Sequence, residues 1–182
     1  PSPLGETIVV VGAGMIGLLT IQALRAAGSS QIVAVDLDAS RLEQARLFGA
    51  DHAFQPDRTD VAQEVLALTS GRGADLAVEA VGIESTVRMA VACLRKGGAL
   101  ALVGNVSPDV SLPLQAVVTR ELALLGSCAS SGEYPLCLDL IARGAVRVDP
   151  LISAVAPLAE GAAWFQRLRE KEPGLMKVVL QP

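Results

Sequence analysis

The chain has 182 residues, 51% apolar but only 3% aromatic, with a formal net charge of −4. That length suits one domain with a true core and part of another. No apolar run reaches the ~18 residues of a membrane helix, and no basic cluster beyond pairs such as Arg95-Lys96 argues for a nucleic-acid partner.

In chain order, Thr7–Val11 reads as a short buried strand. Met15–Ala27 follows with helical spacing and closes at Gly28, a suitable C-cap. Gln31–Val35 is a second strand ending at Asp36, and Ala39-Ser40 opens a helix that ends near Gly49. His52–Phe54 is a weak third strand, Asp60–Thr69 a helix, and Leu76–Val78 a fourth strand ending at Glu79. Thr86–Leu94 is a helix, Gly97-Gly98 a turn, Ala99–Val103 a fifth strand and Leu122–Gly126 a sixth. Strands alternating with ten-residue helices imply βαβ units, a parallel sheet and right-handed crossovers. The expected fold is therefore α/β, a doubly wound, six-stranded parallel sheet of the dinucleotide-binding (Rossmann) type over residues 5–148. From residue 149 the alternation lapses. Tyr134–Arg143 is a preceding helix, "VRVDPLIS" an irregular or extended link, Leu158–Arg169 a final helix and Met176–Leu180 a final strand.

Gly12, Gly14 and Gly17 stand in a G-x-G-x-x-G pattern that leaves the first strand and opens the first helix. The pattern alone also describes a tight strand-to-helix turn. In this context Gly12 permits the turn, Gly14 lets a pyrophosphate approach the backbone, and Gly17 lets the helix lie close to the strand. The helix start then offers N–H donors and partial positive charge to phosphates. Asp36 lies 19 positions after Gly17, near the offset of an acid that binds the adenosine ribose. A carboxylate there accepts from both ribose hydroxyls and repels a 2′-phosphate, which points to NAD rather than NADP.

Other residues say less. His52, the single histidine, reads as a surface or edge residue, and Glu79 as a strand-end acid with many ordinary explanations. Tyr134 has Leu138 and no lysine four positions on, against a short-chain dehydrogenase. Cys93, Cys128 and Cys137 are odd in number and lack C-x-x-C spacing, so small packing residues and a cytoplasmic setting are expected rather than disulfides. Pro1-Ser2-Pro3 has neither Met nor signal-peptide features and reads as the cut edge of a longer chain.

"VVVGAGMIGLLTIQALRAAG", "IVAVDLDASRLEQARLFGAD", "DLAVEAVG", "LRKGGALALVG" and "ELALLGSCASSGEYPLCLDLIARGAV" together resemble the C-terminal half of a medium-chain zinc-dependent alcohol dehydrogenase of the sorbitol and threonine dehydrogenase branch. The closing "PLAEGAAWFQRL" and "MKVVLQP" extend the resemblance over nearly the whole chain. The resemblance implies a coenzyme-binding set: Gly12, Gly14, Met15, Ile16 and Gly17 in the loop, then Asp36, Leu37, Arg41 and Val81. It adds Val103 and Gly104 beside the nicotinamide, Ser127, Cys128 and Ala129 near the carboxamide, and Lys177 toward the pyrophosphate. It also implies a secondary alcohol as the substrate of the intact enzyme, hydride transfer to NAD, and homo-oligomers formed through the sixth strand, "ELALLGS". Zinc would belong to an N-terminal catalytic segment that this chain does not contain, and residues 149–182 to a tail that returns to that segment. On this reading the chain is an excised piece without turnover of its own, and no catalytic or metal-binding residue is expected in it. The alternatives are a zinc-free medium-chain quinone reductase, which would favour NADP, and a non-enzymatic dinucleotide-sensing module. A methyltransferase shares the glycine loop and strand-end acid, but the full dinucleotide-style helix disfavours it.

Overall fold

β-Branched and apolar residues dominate Thr7–Val11, and all five are buried in β1, as a strand covered on both faces requires. The computed structural model describes residues 4–170 and 172–182, so the reading of Pro1-Ser2-Pro3 lies outside the described residues. Two compact units divide the chain at Tyr134/Pro135. The boundary expected at 148/149 falls inside the second.

In the first unit, β1 is followed by α1 (Met15–Ala26), β2 (Gln31–Val35), α2 (Ala39–Leu47), β3 (His52–Phe54) and α3 (Val61–Leu68). Then come β4 (Ala74–Glu79), α4 (Glu84–Cys93), β5 (Leu94–Leu102), α5 (Leu114–Thr119) and β6 (Ala123–Gly126). The six strands are parallel, in the order β3-β2-β1-β4-β5-β6. This is the doubly wound α/β sheet that the alternating pattern implies. The core joins Val9, Val11, Val33, Val35, Ala77 and Leu100 of the sheet to Val61 and Val65 of α3 and Val87, Ala90 and Val91 of α4. Each of the valine and leucine side chains among them stabilises the fold by roughly 1.5–3 kcal/mol.

Two elements depart from expectation here. β5 begins at Leu94 and not Ala99, because Gly97-Gly98 form an irregularity inside the strand and not a turn before it. The short helix α5 lies where no helix was expected. It is only 6 residues long and follows Pro113, so its sequence carries too few turns for a helical period to appear.

The N-terminal edge of the sheet is closed by ion pairs. Asp75, 5% exposed at its side chain, accepts from Arg95 Nε at 2.6 Å and from both Arg72 terminal nitrogens at 2.8 Å. It also accepts from the Thr7 N–H at 2.9 Å, tying β4 to β1. Burial pushes the Asp75 carboxyl up, but the hydrogen bonds from Arg95, Arg72 and Thr7 outweigh it and hold it below the usual carboxylate range. Nearby, Arg25 of α1 donates to Asp51 at 2.5 Å and to Gly49 O at 2.6 Å.

α6 (Tyr134–Ala142) begins at the boundary; in the second unit it leads to a 3-10 turn at Asp149–Leu151 and then β7 (Ile152–Pro157). A second 3-10 turn, Leu158–Glu160, precedes α7 (Gly161–Arg169), and β8 (Lys177–Gln181) pairs parallel with β7. The stretch from Ile152 is thus a paired strand rather than a link, and the expected helix start at Leu158 is a 3-10 turn. Among the described residues, no helix is long and apolar enough to cross a membrane.

Candidate functional site

Because all six strands run one way, their C-terminal ends share one edge. In the order 3-2-1-4-5-6 the connections leaving β1 and β4 go to opposite sides of the sheet, which opens a crevice between them. The structure places every coenzyme candidate except Lys177 on connections leaving this edge: Gly12–Gly17 after β1, Asp36, Leu37 and Arg41 after β2, Val81 after β4, Val103 and Gly104 after β5, and Ser127–Ala129 after β6. Lys177 belongs to the second unit, where it opens β8 and is exposed.

The three loop glycines are glycine for different reasons. Gly12 has φ +97°, a left-handed conformation, and a Cβ there would lie 2.7 Å from Val81 Cγ2. A Cβ on Gly17 would lie 1.8 Å from Gly12 O, so only glycine lets α1 sit this close to the strand. A Cβ on Gly14 would meet nothing within 4 Å, and its φ of −72° suits any residue. A tight turn accounts for Gly12 and Gly17; it does not account for Gly14. The space beside Gly14 opens at the start of α1, which has no side-chain cap and no acid in its first turn. By contrast, Asp38 caps α2 through Ser40 N, and Asp60 caps α3 through Ala62 N and Gln63 N. The leading amides of α1 have no side-chain cap.

Asp36 stands at the other side of the loop, its side chain 11% exposed. Its Oδ2 accepts the Ala13 N–H at 2.7 Å and its Oδ1 the Asp38 N–H at 2.9 Å. Arg41 Nη1 lies 3.8 Å from Oδ2. A carboxylate has about four lone-pair sites, so acceptor capacity remains for two hydroxyls. Asp38 is held below the usual carboxylate range, foremost by the Ser40 hydroxyl. Ile16 and Leu37, 45% and 68% exposed, leave apolar side chains out in solvent on these same connections. Ala129 has φ +55°, an uncommon conformation for alanine, within the stretch expected near the carboxamide.

Two residues outside the expected set also shape the crevice. Glu79, the last residue of β4, is fully buried, and its carboxylate accepts main-chain N–H groups of Val81 and Gly82. Gly82 has φ +86° and abuts the main chain of residues 104–106. The available sequence signal was an acid three positions before a glycine at a strand end.

Among the described residues, no three His, Cys, Asp or Glu side chains gather as a metal site. The Cys93 thiol is buried in the core and pushed up to about 12, mainly by burial and then by Asp60. Cys128 and Cys137 are exposed, and all three cysteines are free thiols. His52 lies on the edge strand β3, 3.3 Å from Gln31 Nε2, with its ring stacked on Phe54. A catalytic zinc needs about three convergent protein ligands, and these residues do not supply them.

A sequence model of the zinc-binding dehydrogenases matches residues 16–143. A probable D-xylulose reductase A from Aspergillus terreus is 36% identical over 170 residues, which cover 91% of this chain and 48% of that protein. Among solved structures, 2R,3R-butanediol dehydrogenase from Bacillus subtilis has a TM-score of 0.90 and 30% identity, covering 98% of this chain and 51% of that one. A putative zinc-binding dehydrogenase from Sinorhizobium meliloti, bound to NADP, has a TM-score of 0.85 and 28% identity, covering 98% and 53%. The chain spans about half the length of the curated relatives it matches.

Proposed function

The chain belongs to the zinc-binding dehydrogenase family, and from that premise we propose that it is the coenzyme-binding part of an oxidoreductase that uses NAD and acts on a secondary alcohol or polyol. The observation that carries this reading is the unfilled space at Gly14, facing an uncapped helix start and flanked by Asp36. The polyol class rests on the names of the relatives, a xylulose reductase and a butanediol dehydrogenase.

Bound coenzyme supplies the hydride acceptor at its nicotinamide ring; the protein supplies position and environment. The α1 amides would hold the pyrophosphate at Gly14, where no Cβ intervenes. Asp36 keeps its bonds to Ala13 and Asp38 and accepts the ribose hydroxyls on its remaining lone pairs. A 2′-phosphate at that carboxylate meets like charge, so NADP is disfavoured. With coenzyme bound, Ile16 and Val103 would offer the ring apolar contact, and the 127–129 backbone would hold the carboxamide. Zinc has no ligand set among the described residues, so this part of the protein binds and orients, and turnover of a polyol by this chain alone is not expected.

Titration with NADH, read by enhanced nicotinamide fluorescence, tests the assignment. Asp36→Ala should raise the NADH Kd roughly tenfold or more, equivalent to about 1.4 kcal/mol per factor of ten, and should narrow the preference over NADPH. Asp36→Asn keeps an acceptor for the Ala13 N–H but turns a donor toward the Asp38 N–H, so it removes the charge and one of the two loop bonds and should weaken NADH less than Asp36→Ala. Unchanged NADH affinity in both variants, or a wild-type preference for NADPH, would overturn the reading.

A further inference from the structure

Glu79 is a carboxylate with no solvent exposure, and its partners are main-chain amides rather than a cation. Oε1 accepts from Val81 N at 2.9 Å and Gly82 N at 2.8 Å, and Oε2 accepts from Gly82 N at 3.0 Å. Its carbonyl oxygen accepts from Val103 N and Gly104 N, both at 2.9 Å. One residue therefore gathers the amides of two connections, the turn after β4 with its side chain and the turn after β5 with its main chain. A buried acid in such a place is costly unless its acceptors are filled, and here the filling groups are loop amides that no sheet ladder uses.

The two turns interlock. A Cβ on Gly104 would fall 2.1 Å from Gly82 N, and one on Gly82 would fall 2.3 Å from Asn105 N. Ser107 N donates to Gly82 O at 2.8 Å. The turn after β4 also reaches the glycine loop: Val81 Cγ2 lies against Gly12, 2.7 Å from where its Cβ would stand. A displacement of the Val81-Gly82 turn is thus passed to Gly104 on one side and Gly12 on the other.

We propose that Glu79 is a positioning residue of the crevice: its buried carboxylate fixes the Val81-Gly82 turn and so sets the spacing between the Gly12 loop and the Val103-Gly104 turn. This rests on the coenzyme reading above and adds the group that holds its walls apart. Glu79 touches no ligand; it acts through Val81 and Gly82. The adenosine end, held by Asp36, is one step further along this linkage, reached only through the Ala13 N–H that Asp36 accepts, so it should respond less than the pyrophosphate and nicotinamide positions.

Glu79→Gln preserves size but aims an N–H₂ group at the Gly82 N–H, so one acceptor becomes a donor. In the full chain, the NADH Kd should rise about tenfold, whereas AMP, which lacks the pyrophosphate and nicotinamide, should bind within about twofold of wild type by NMR titration. Amide hydrogen exchange in the ligand-free protein should quicken about tenfold at Val81, Gly82 and Gly104 while Val9 and Val33 stay within about threefold. A residue that merely stabilised the fold would weaken both ligands together and quicken exchange everywhere. Equal loss of AMP and NADH, or unchanged exchange at Val81 and Gly82, would overturn the proposal. If Glu79→Gln does not fold, Glu79→Asp, one methylene shorter and able to reach fewer amides, is read by the same criteria. If wild type takes neither nucleotide, the coenzyme reading falls, and the exchange pattern still decides whether Glu79 holds the turns.

Discussion

The two edges of the main sheet both carry bonded carboxylates, Asp75 and Glu79 of them buried, but they spend them differently. At the N-terminal edge, Asp75 is met by Arg72 and Arg95, and Asp51 by Arg25. At the C-terminal edge, Glu79 and Asp36 are met chiefly by amides of the loops beside them. The main-chain amides that Asp75 and Asp51 accept, Thr7 N–H and Ile32 N–H, belong to strands already fixed by the sheet, so these acids fasten secondary structure and leave the loop paths alone. An acid bonded to loop amides fixes that path, and with it the shape offered to a ligand. The first edge therefore serves stability, the second the geometry of a crevice.

The largest expected effect lies where the crevice edge also bears the fold. Gly17→Ala forces a methyl group to within 1.8 Å of Gly12 O and 2.9 Å of its carbonyl carbon, main-chain atoms that cannot turn aside. A loss of about 4 kcal/mol is expected, near the upper end for a single substitution, measured as the denaturation midpoint in urea. NADH binding should be lost with it. A Gly17→Ala protein of wild-type stability would mean that α1 does not need its close approach.

Asp75→Ala probes the opposite edge. It removes the acceptor of Thr7 N–H and leaves two guanidinium groups without their shared partner. Both arginines retain some exposure and can turn to solvent, so the cost should be about 2–3 kcal/mol, below that of stranding fully buried partners. NADH affinity should not change. The pH dependence has a definite sign. The folded Asp75 carboxyl lies below its ordinary value, so its contribution is present in full above the unfolded value near 4 and is lost as pH falls through the folded one. Wild type should lose its advantage over Asp75→Ala in that acid range. A difference in stability that did not shrink there would separate the stabilisation from the carboxylate's charge.

The contrast between edges also sets what the sequence could reveal. The glycine loop and Asp36 were legible because their spacing is itself the physical constraint: a left-handed turn, a close helix and an acid at the next strand end each demand a residue type at a fixed distance. Strand and helix order followed from apolar periodicity long enough to register. β7 escaped because Pro150 stands just before it, Pro157 is its last residue, and its alternation spans only 6 residues. α5 escaped because 6 residues show no period. Glu79 was visible as a strand-end acid, but burial and amide partners arise only when β4, β5 and their turns come together. Nothing in "VEAVG" by itself separates it from a solvated acid.

The smallest effect on stability should accompany a clear effect on binding, and Gly14 is where the two separate. An added methyl group meets no atom within 4 Å, and φ −72° is ordinary for alanine. Alanine is a poorer N-cap than glycine, so folding should weaken by no more than about 1 kcal/mol. The methyl group would nevertheless occupy the space where a pyrophosphate must approach the α1 amides, and NADH affinity should fall roughly tenfold, about 1.4 kcal/mol. AMP, which binds without a pyrophosphate, should be weakened less. Thermal unfolding and fluorescence titration on the same sample make the comparison. If Gly14→Ala loses stability but keeps NADH, the space beside Gly14 serves the fold, and the crevice edge loses the feature that distinguishes it from a plain strand-to-helix turn.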